Sequence, residues 1–263
     1  MSVATTIGGL AGRKGRGWHV NPVDPSMRVW SAPQGLVGAS REPIDCLPVR
    51  FDQGASSSCV AQALALGITC VESMLGMDVD VISRRALYYL LRKKRGLHKV
   101  DAGGYISDGV DVVHRYGCAS ESRFKWSPLL INQAPNAGLV VEGTERRGLK
   151  YERIVGVGNK LIAQLDTALQ HGPVVFGMPV TQDFMDYKDG VLRTPTVVAK
   201  ILGGHATLLV KRNPDGTFTG ANSYSRKWGL DGLYVIEDEY LAAHGQDFTV
   251  LHDWEKVAHA KAA

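Results

Sequence analysis

The sequence predicts an α+β fold in which a helical half is followed by a β-rich half, and three observations point there. Apolar residues recur at helical spacing between about 58 and 116. Short runs dense in β-branched residues crowd the chain after about 150. A hydrophobic share of 44% over 263 residues suffices to bury a sizeable core. The expected organisation is an N-terminal extension over 1–45, a helical lobe over 46–150 and a β-rich lobe over 151–263.

The extension is rich in Gly, Pro, Ser and Arg and shows no sustained periodicity, so it reads as an extended arm that gains order only by docking. Its start, MSVATTIGGLAGRKGRGWHV, places positive charge after the apolar residues and offers no signal-peptide core. The longest apolar stretch, from Val60, is interrupted by Gln62 and Glu72 and falls short of a membrane span. The expectation is a soluble protein without a Sec-type signal, cytoplasmic or released by a non-classical route, and a monomer.

From Ser58 to about Leu75 the composition is helix-forming and apolar on most faces, as in a buried helix, with Gly76 as its stop. Ala86, Leu87, Leu90 and Leu91 mark a second helix over 83–95, closed by Gly96. A third runs from Ser107 to Tyr116 before Gly117, and a fourth from Asn159, as its cap, to Gln170. The runs PVVFGMPV, HATLLVKR, TFTGANSY and GLYVIE then read as strands of a sheet or barrel. Arg92, Lys93, Lys94 and Arg95 close the second helix, where cations favour the dipole and solvent.

Charge and composition narrow the function. A net charge of +4 lacks the dense basic stripes that track a nucleic-acid backbone. Cysteines at 46, 59, 70 and 118 have no CxxC spacing, the histidines show no metal-ligand pattern, and GVGNK lacks the spacing of a phosphate loop, so no metal or cofactor is expected. The thiols are expected to be reduced.

Within FDQGASSSCV, Gln53 lies six residues ahead of Cys59, which opens a helix. The positive end of a helix stabilises a thiolate, the reactive form of cysteine. Attack on an amide carbonyl creates an oxyanion, and the Gln53 side chain with the Cys59 N–H could hold it. His205 begins one apolar strand and Asn222 ends the next, so antiparallel pairing sets them side by side. An imidazole there can exchange protons with a thiol, and an amide oxygen can fix its orientation.

This arrangement resembles the papain and cathepsin family of cysteine peptidases. There a Gln is followed six residues later by a Cys, then by a distant His before an apolar strand and an Asn-Ser-aromatic turn with Trp-Gly. His205 lies 146 positions after Cys59 (205 − 59), within that family's window of roughly 130 to 150. The resemblance runs from about Leu47 to Val235 and includes AGGYISDGVDVVHRYG, similar to the family's Gly-Gly-Tyr segment, and HGPVVFGMPVTQDFMDYKDGVL.

It implies a papain-like two-lobed fold, with a helical left lobe, a β-barrel-like right lobe and a cleft between them. It also implies hydrolysis of peptide or protein substrates by Cys59, His205, Asn222 and Gln53. Gly103 and Gly104 would hydrogen-bond an extended peptide. Gly177 and Gly204 would border the pocket for the side chain preceding the scissile residue, and Trp228 would also contact substrate. The sequence departs from the family at Ser56, Ser57, Ser58 and Val60 beside the nucleophile, at Tyr224 in place of Trp and at Ser225 in place of Gly; the family's first disulfide cannot form. The short extension, with its basic GRKGRG, is expected to fold over the cleft as an inhibitory pro-segment. The same triad could instead serve isopeptide cleavage or amide transfer, and the altered shielding residues would also suit a papain-fold binding protein without activity.

Overall fold

The computed structural model describes residues 17–31, 42–47, 49–195 and 199–254. Its helical half is organised by α1 (Cys59–Met74), whose side chains are buried almost throughout because the helix is enclosed on several sides. Leu75 caps it and Gly76 turns the chain away at φ 66°. Next come α2 (Arg84–Lys93), capped where the Ser83 side chain accepts from Ala86 N–H, and α3 (Ile106–Tyr116), ended by Gly117 at φ 70°. The short α4 (Ala137–Gly143) completes this half.

The second half is a seven-stranded sheet in the order β1-β7-β2-β4-β5-β6-β3. The strands are β1 (Leu149–Arg153), β2 (Val174–Val180), β3 (Val191–Leu192), β4 (Gly203–Arg212), β5 (Phe218–Ala221), β6 (Leu233–Ile236) and β7 (Gln246–Trp254). All neighbours are antiparallel except β3 and β6. Three helices accompany them, α5 (Gly158–Leu169), α6 (Gln182–Met185) and α7 (Asp238–His244).

The two faces of the sheet feed different cores. Val175, Ala206, Leu208, Val210, Ala221 and Leu251 pack with α1, α2 and α3. Val174, Phe176, Met178, Leu209 and Val250 pack with α5, α7 and the arm's Trp30. This is the period-2 alternation of strands buried on both faces. At Gly67 an added Cβ would lie 2.9 Å from Leu251 and 3.1 Å from Leu208, so a glycine lets α1 lie close against the sheet.

The described part of the extension is docked. Val29 bridges to Arg153 beside β1, Trp30 N–H donates to the Arg153 carbonyl at 2.8 Å, and the Trp30 ring lies against His171 and His252. Most of GRKGRG, residues 12–16, lies outside the described residues.

Two expectations are corrected. Asn159 is not the cap of α5: Val157 occupies that position, with Gly158 as the first helical residue. Arg92 is not solvated but 1% exposed, because the segments around Val100 and Ile131 fold over its guanidinium. It donates to the Tyr88, Val100 and Ile131 carbonyls and to Asn132 Oδ1. The four cysteines are buried, with no disulfide between them.

Candidate active site

Cys59 is the first residue of α1, at the end where free N–H groups carry the positive end of the helix dipole. The preceding loop is held by local hydrogen bonds. Gly54 N–H donates to Asp52, Ser56 Oγ donates to the Gln53 carbonyl at 2.8 Å, and Ser57 N–H meets both Asp101 oxygens at 3.0 Å. Asp101 is fixed in turn by the Tyr88 hydroxyl, which also accepts from Gly103 N–H at 3.0 Å. The buried Arg92 lies against the Tyr88 ring and completes this support.

Gln53 is fully buried and tied to the opposite half. Its backbone N–H donates to the Ser223 carbonyl at 2.9 Å, its Oε1 accepts from Ser223 Oγ at 2.6 Å, and its Nε2 donates to the Ser56 carbonyl at 2.8 Å. The amide has a second Nε2 hydrogen, which leaves one donor for another acceptor.

His205 lies on β4 and Asn222 follows β5, as the hairpin argument expects, and His205 Nε2 meets Asn222 Oδ1 at 2.8 Å. The bond requires Nε2 to carry hydrogen. Asn222 Oδ1 also accepts from Ser223 N–H at 2.7 Å, which orients the amide. The Tyr224 ring covers the imidazole at 4.9 Å between centroids, and its hydroxyl lies 3.4 Å from Nδ1. Trp228 stands behind this pair, against Phe184, Tyr187, Tyr224 and Tyr234.

The two halves meet at sulfur. Backbone N–H groups of Ala206, next to His205, of Gly17 and of Val60 lie around the Cys59 sulfur and favour its ionised form. Burial nevertheless dominates and pushes the thiol from 9.0 up to about 11. The helix end alone would lower it; here the arm covers the site.

The arm passes between the glycines picked out in the sequence. Gly17 and Trp18 N–H groups donate to the Gly204 carbonyl at 3.0 and 3.2 Å. Gly104 N–H donates to the Gly17 carbonyl at 2.6 Å, and His19 N–H donates to the Gly104 carbonyl at 3.0 Å. Contact is tight: a Cβ on Gly17 would fall 1.8 Å from the Ser57 carbonyl oxygen, and one on Gly103 2.1 Å from the Gly17 oxygen. The Trp18 indole lies against Gly177, where a Cβ would fall 1.9 Å from the ring, and beside Gly204. Its Nε1 donates to Asp247 Oδ2 at 3.0 Å.

Trp18, Tyr88, Asp101 and Asp247 were not found from the sequence. Trp18 stood in an arm without periodicity, and no motif marks the other three. Among the described residues no cluster of His, Cys, Asp or Glu could hold a metal ion, and no helix is long and apolar enough to cross a membrane.

A family model for papain family cysteine proteases matches residues 96–246, more than half of the chain. The chain belongs to the papain family of cysteine proteases. It is thus a cysteine peptidase, a hydrolase. The match includes His205 and Asn222 and begins after Gln53 and Cys59.

An uncharacterised peptidase C1-like protein of Acanthamoeba polyphaga mimivirus is 29% identical to this peptidase over 215 residues, covering 77% of this chain and 69% of the viral one. A cathepsin B-like cysteine proteinase of Schistosoma japonicum is 36% identical over 81 residues, 29% of this chain and 22% of that protein. Xylellain, a cysteine protease from Xylella fastidiosa, shares the fold with a TM-score of 0.79 at 22% identity, over 93% of this chain and 98% of that one. Digestive procathepsin L 3 of the Tenebrio molitor larval midgut follows with a TM-score of 0.68 at 16% identity, over 92% and 76%.

Proposed function

We propose that this papain-family peptidase hydrolyses peptide bonds through a thioester acyl-enzyme formed on Cys59 and is held inactive by its N-terminal arm. Cys59 attacks the carbonyl carbon after its proton passes to His205 Nδ1. Asn222 Oδ1 holds Nε2–H, so Nδ1 remains the nitrogen for proton exchange. The free Nε2 hydrogen of Gln53 and the Cys59 N–H receive the oxyanion. The imidazolium protonates the leaving amine, and water then enters with His205 as base, releasing the acid and the thiol.

The observation that carries this reading is the meeting of the halves at one sulfur: a cysteine at a helix N-terminus, with the backbone of the residue that follows an asparagine-oriented histidine beside it.

The arm's contacts support inhibition rather than cleavage. The Gly17 carbonyl accepts from Gly104 N–H and the Gly17 and Trp18 N–H groups donate to the Gly204 carbonyl, so the arm is pinned to both halves across the fully buried Cys59. Gly103, Gly104, Gly177 and Gly204, now against the arm, are the surfaces on which an extended substrate would lie.

The test is hydrolysis of a peptide library by full-length wild type, Cys59→Ala and a chain lacking residues 1–21. Faster turnover without the arm and none in Cys59→Ala is expected. Hydrolysis by Cys59→Ala sinks the nucleophile; equal rates with and without the arm sink the inhibition.

A further inference from the structure

We infer that Asp101 is a positioning residue whose carboxylate clasps the loop leading to Cys59 onto the Gly103-Gly104 strip, so that nucleophile and substrate backbone are held in one register. The inference rests on the proposed peptidase reading, and it adds a residue that acts on the reaction through its neighbours.

The clasp joins two segments that are distant in sequence. Ser57, two residues before Cys59, points its N–H at both Asp101 oxygens, each at 3.0 Å. Asp101 Oδ1 also accepts from the Tyr88 hydroxyl, and that hydroxyl accepts from Gly103 N–H at 3.0 Å. One continuous chain of hydrogen bonds therefore runs from the nucleophile's loop to the strip that would carry an extended substrate. Its post is firm. Tyr88 is fully buried on α2, the Arg92 guanidinium lies 3.9 Å from the centre of its ring, and Arg92 donates to the carbonyl of Val100, the residue before Asp101. The family's first disulfide cannot form in this chain, and among the described residues no disulfide ties the loop down. The carboxylate supplies that tie without sulfur.

Charge is not what the clasp contributes. Behind burial, the negative charge of Asp101 is one of the causes that push the Cys59 thiol upward, so it opposes the thiolate. Its acceptors are the asset. They need a protonated phenol, and burial, followed by the Asp101 charge, holds the Tyr88 hydroxyl well above its ordinary pKa. Stability is not the contribution either. Asp101 is exposed, and hydrogen bonds that compete with water add little to the folded state. What remains is placement, for which a nucleophile displaced by about 1 Å can lose about 10²-fold in rate.

The experiment uses the full-length Trp18→Ala protein as parent, because Gly17 and His19 bond Gly104 and a loosened strip would otherwise also free the arm. It reads kcat and KM per site titrated with a peptide epoxide, together with Tm. Asp101→Ala should lower kcat by about tenfold or more while Tm stays within about 2 °C. Asp101→Asn offers Ser57 and Tyr88 an acceptor without the charge, and should stay within about threefold of the parent kcat. Tyr88→Phe cuts the link to Gly103 and should raise KM, and adding it to Asp101→Ala should lower kcat little further. A kcat per titrated site within about twofold of the parent in Asp101→Ala, with only Tm or the number of titratable sites reduced, makes Asp101 structural and overturns the inference. An Asp101→Ala protein that folds too poorly to titrate does the same. So does Asp101→Asn as slow as Asp101→Ala, which would assign the effect to charge. These results leave the peptidase reading standing, whereas a parent that neither cleaves peptides nor is alkylated at Cys59 overturns both.

Discussion

Replacing Trp18 with alanine is the sharpest perturbation of the arm, and its size follows from the contacts. Trp18 is 7% exposed and lies against Gly177 and Gly204, with its Nε1 on Asp247. A buried tryptophan covers about 200 Å², worth about 5 kcal/mol at about 25 cal/mol per Å². Alanine retains a small part of that, and the carboxylate regains water when the arm departs, so the lower end of the measured range for such truncations, about 3 kcal/mol, is the appropriate figure. At RT near 0.59 kcal/mol this shifts the docked-to-open ratio by about 150-fold. The assay is the initial rate of peptide hydrolysis by the intact variant, set against wild type and the chain lacking residues 1–21. Trp18→Ala should approach the truncated chain. A rate unchanged from wild type, alongside a large gain on truncation, would refute the claim that the indole anchors the arm.

Three further outcomes follow from the same contacts. With the arm docked the Cys59 thiol is raised to about 11, so full-length protein should alkylate slowly at pH 7 and faster only toward pH 11, whereas Trp18→Ala should react near neutrality. The sign is consistent: docking raises the thiol pKa to about 11, above that of the open site, so docking is favoured while the thiol of the open site is protonated and weakens as pH rises from the open-site pKa toward about 11. Equal alkylation rates in the two proteins at pH 7 would contradict it. Gln53→Ala should lower kcat in the open enzyme by about 10²- to 10³-fold while Cys59 still alkylates, because the oxyanion loses a donor whereas the thiol does not; the bonds to Ser223 Oγ and the Ser56 carbonyl are lost as well. Undiminished turnover would remove Gln53 from that role. Arg92→Ala strands buried carbonyls at Tyr88, Val100 and Ile131. It should cost about 3 kcal/mol, a fall in Tm of about 6–12 °C by calorimetry. A Tm within a degree of wild type would show that the guanidinium is dispensable.

What could be read in the sequence was whatever local pattern determines. The helix from Cys59, the helix over 83–95 and the strands carrying His205 and Asn222 declare themselves through periodicity, turn residues and short connections. The His205–Asn222 pairing was legible because a tight hairpin links their strands. The edge strand β1, the short helices α4 and α7, and β7 were not resolved as elements, since short or partly exposed segments carry a weak pattern. Arg92 was misjudged because its partners are up to about forty positions away in sequence, and a basic run at a helix end looks solvated until a distant loop covers it. Asp247 was hidden for a related reason. A bulge in the pairing of β2 with β7 aims it, and a bulge is a property of two strands in register. The arm's docking was expected, but not its anchor, because nothing in Gly17-Trp18-His19 signals the slot between Gly177 and Gly204.

The most direct measurement is mapping of the adduct formed by a peptide epoxide with the full-length Trp18→Ala protein, alone and combined with His205→Ala. One adduct at Cys59, with Cys46, Cys70 and Cys118 unmodified, and a strongly slowed reaction without His205 are the expected results. Modification at another cysteine, or an equal rate without the imidazole, would contradict the thiolate–imidazole pairing on which the rest depends.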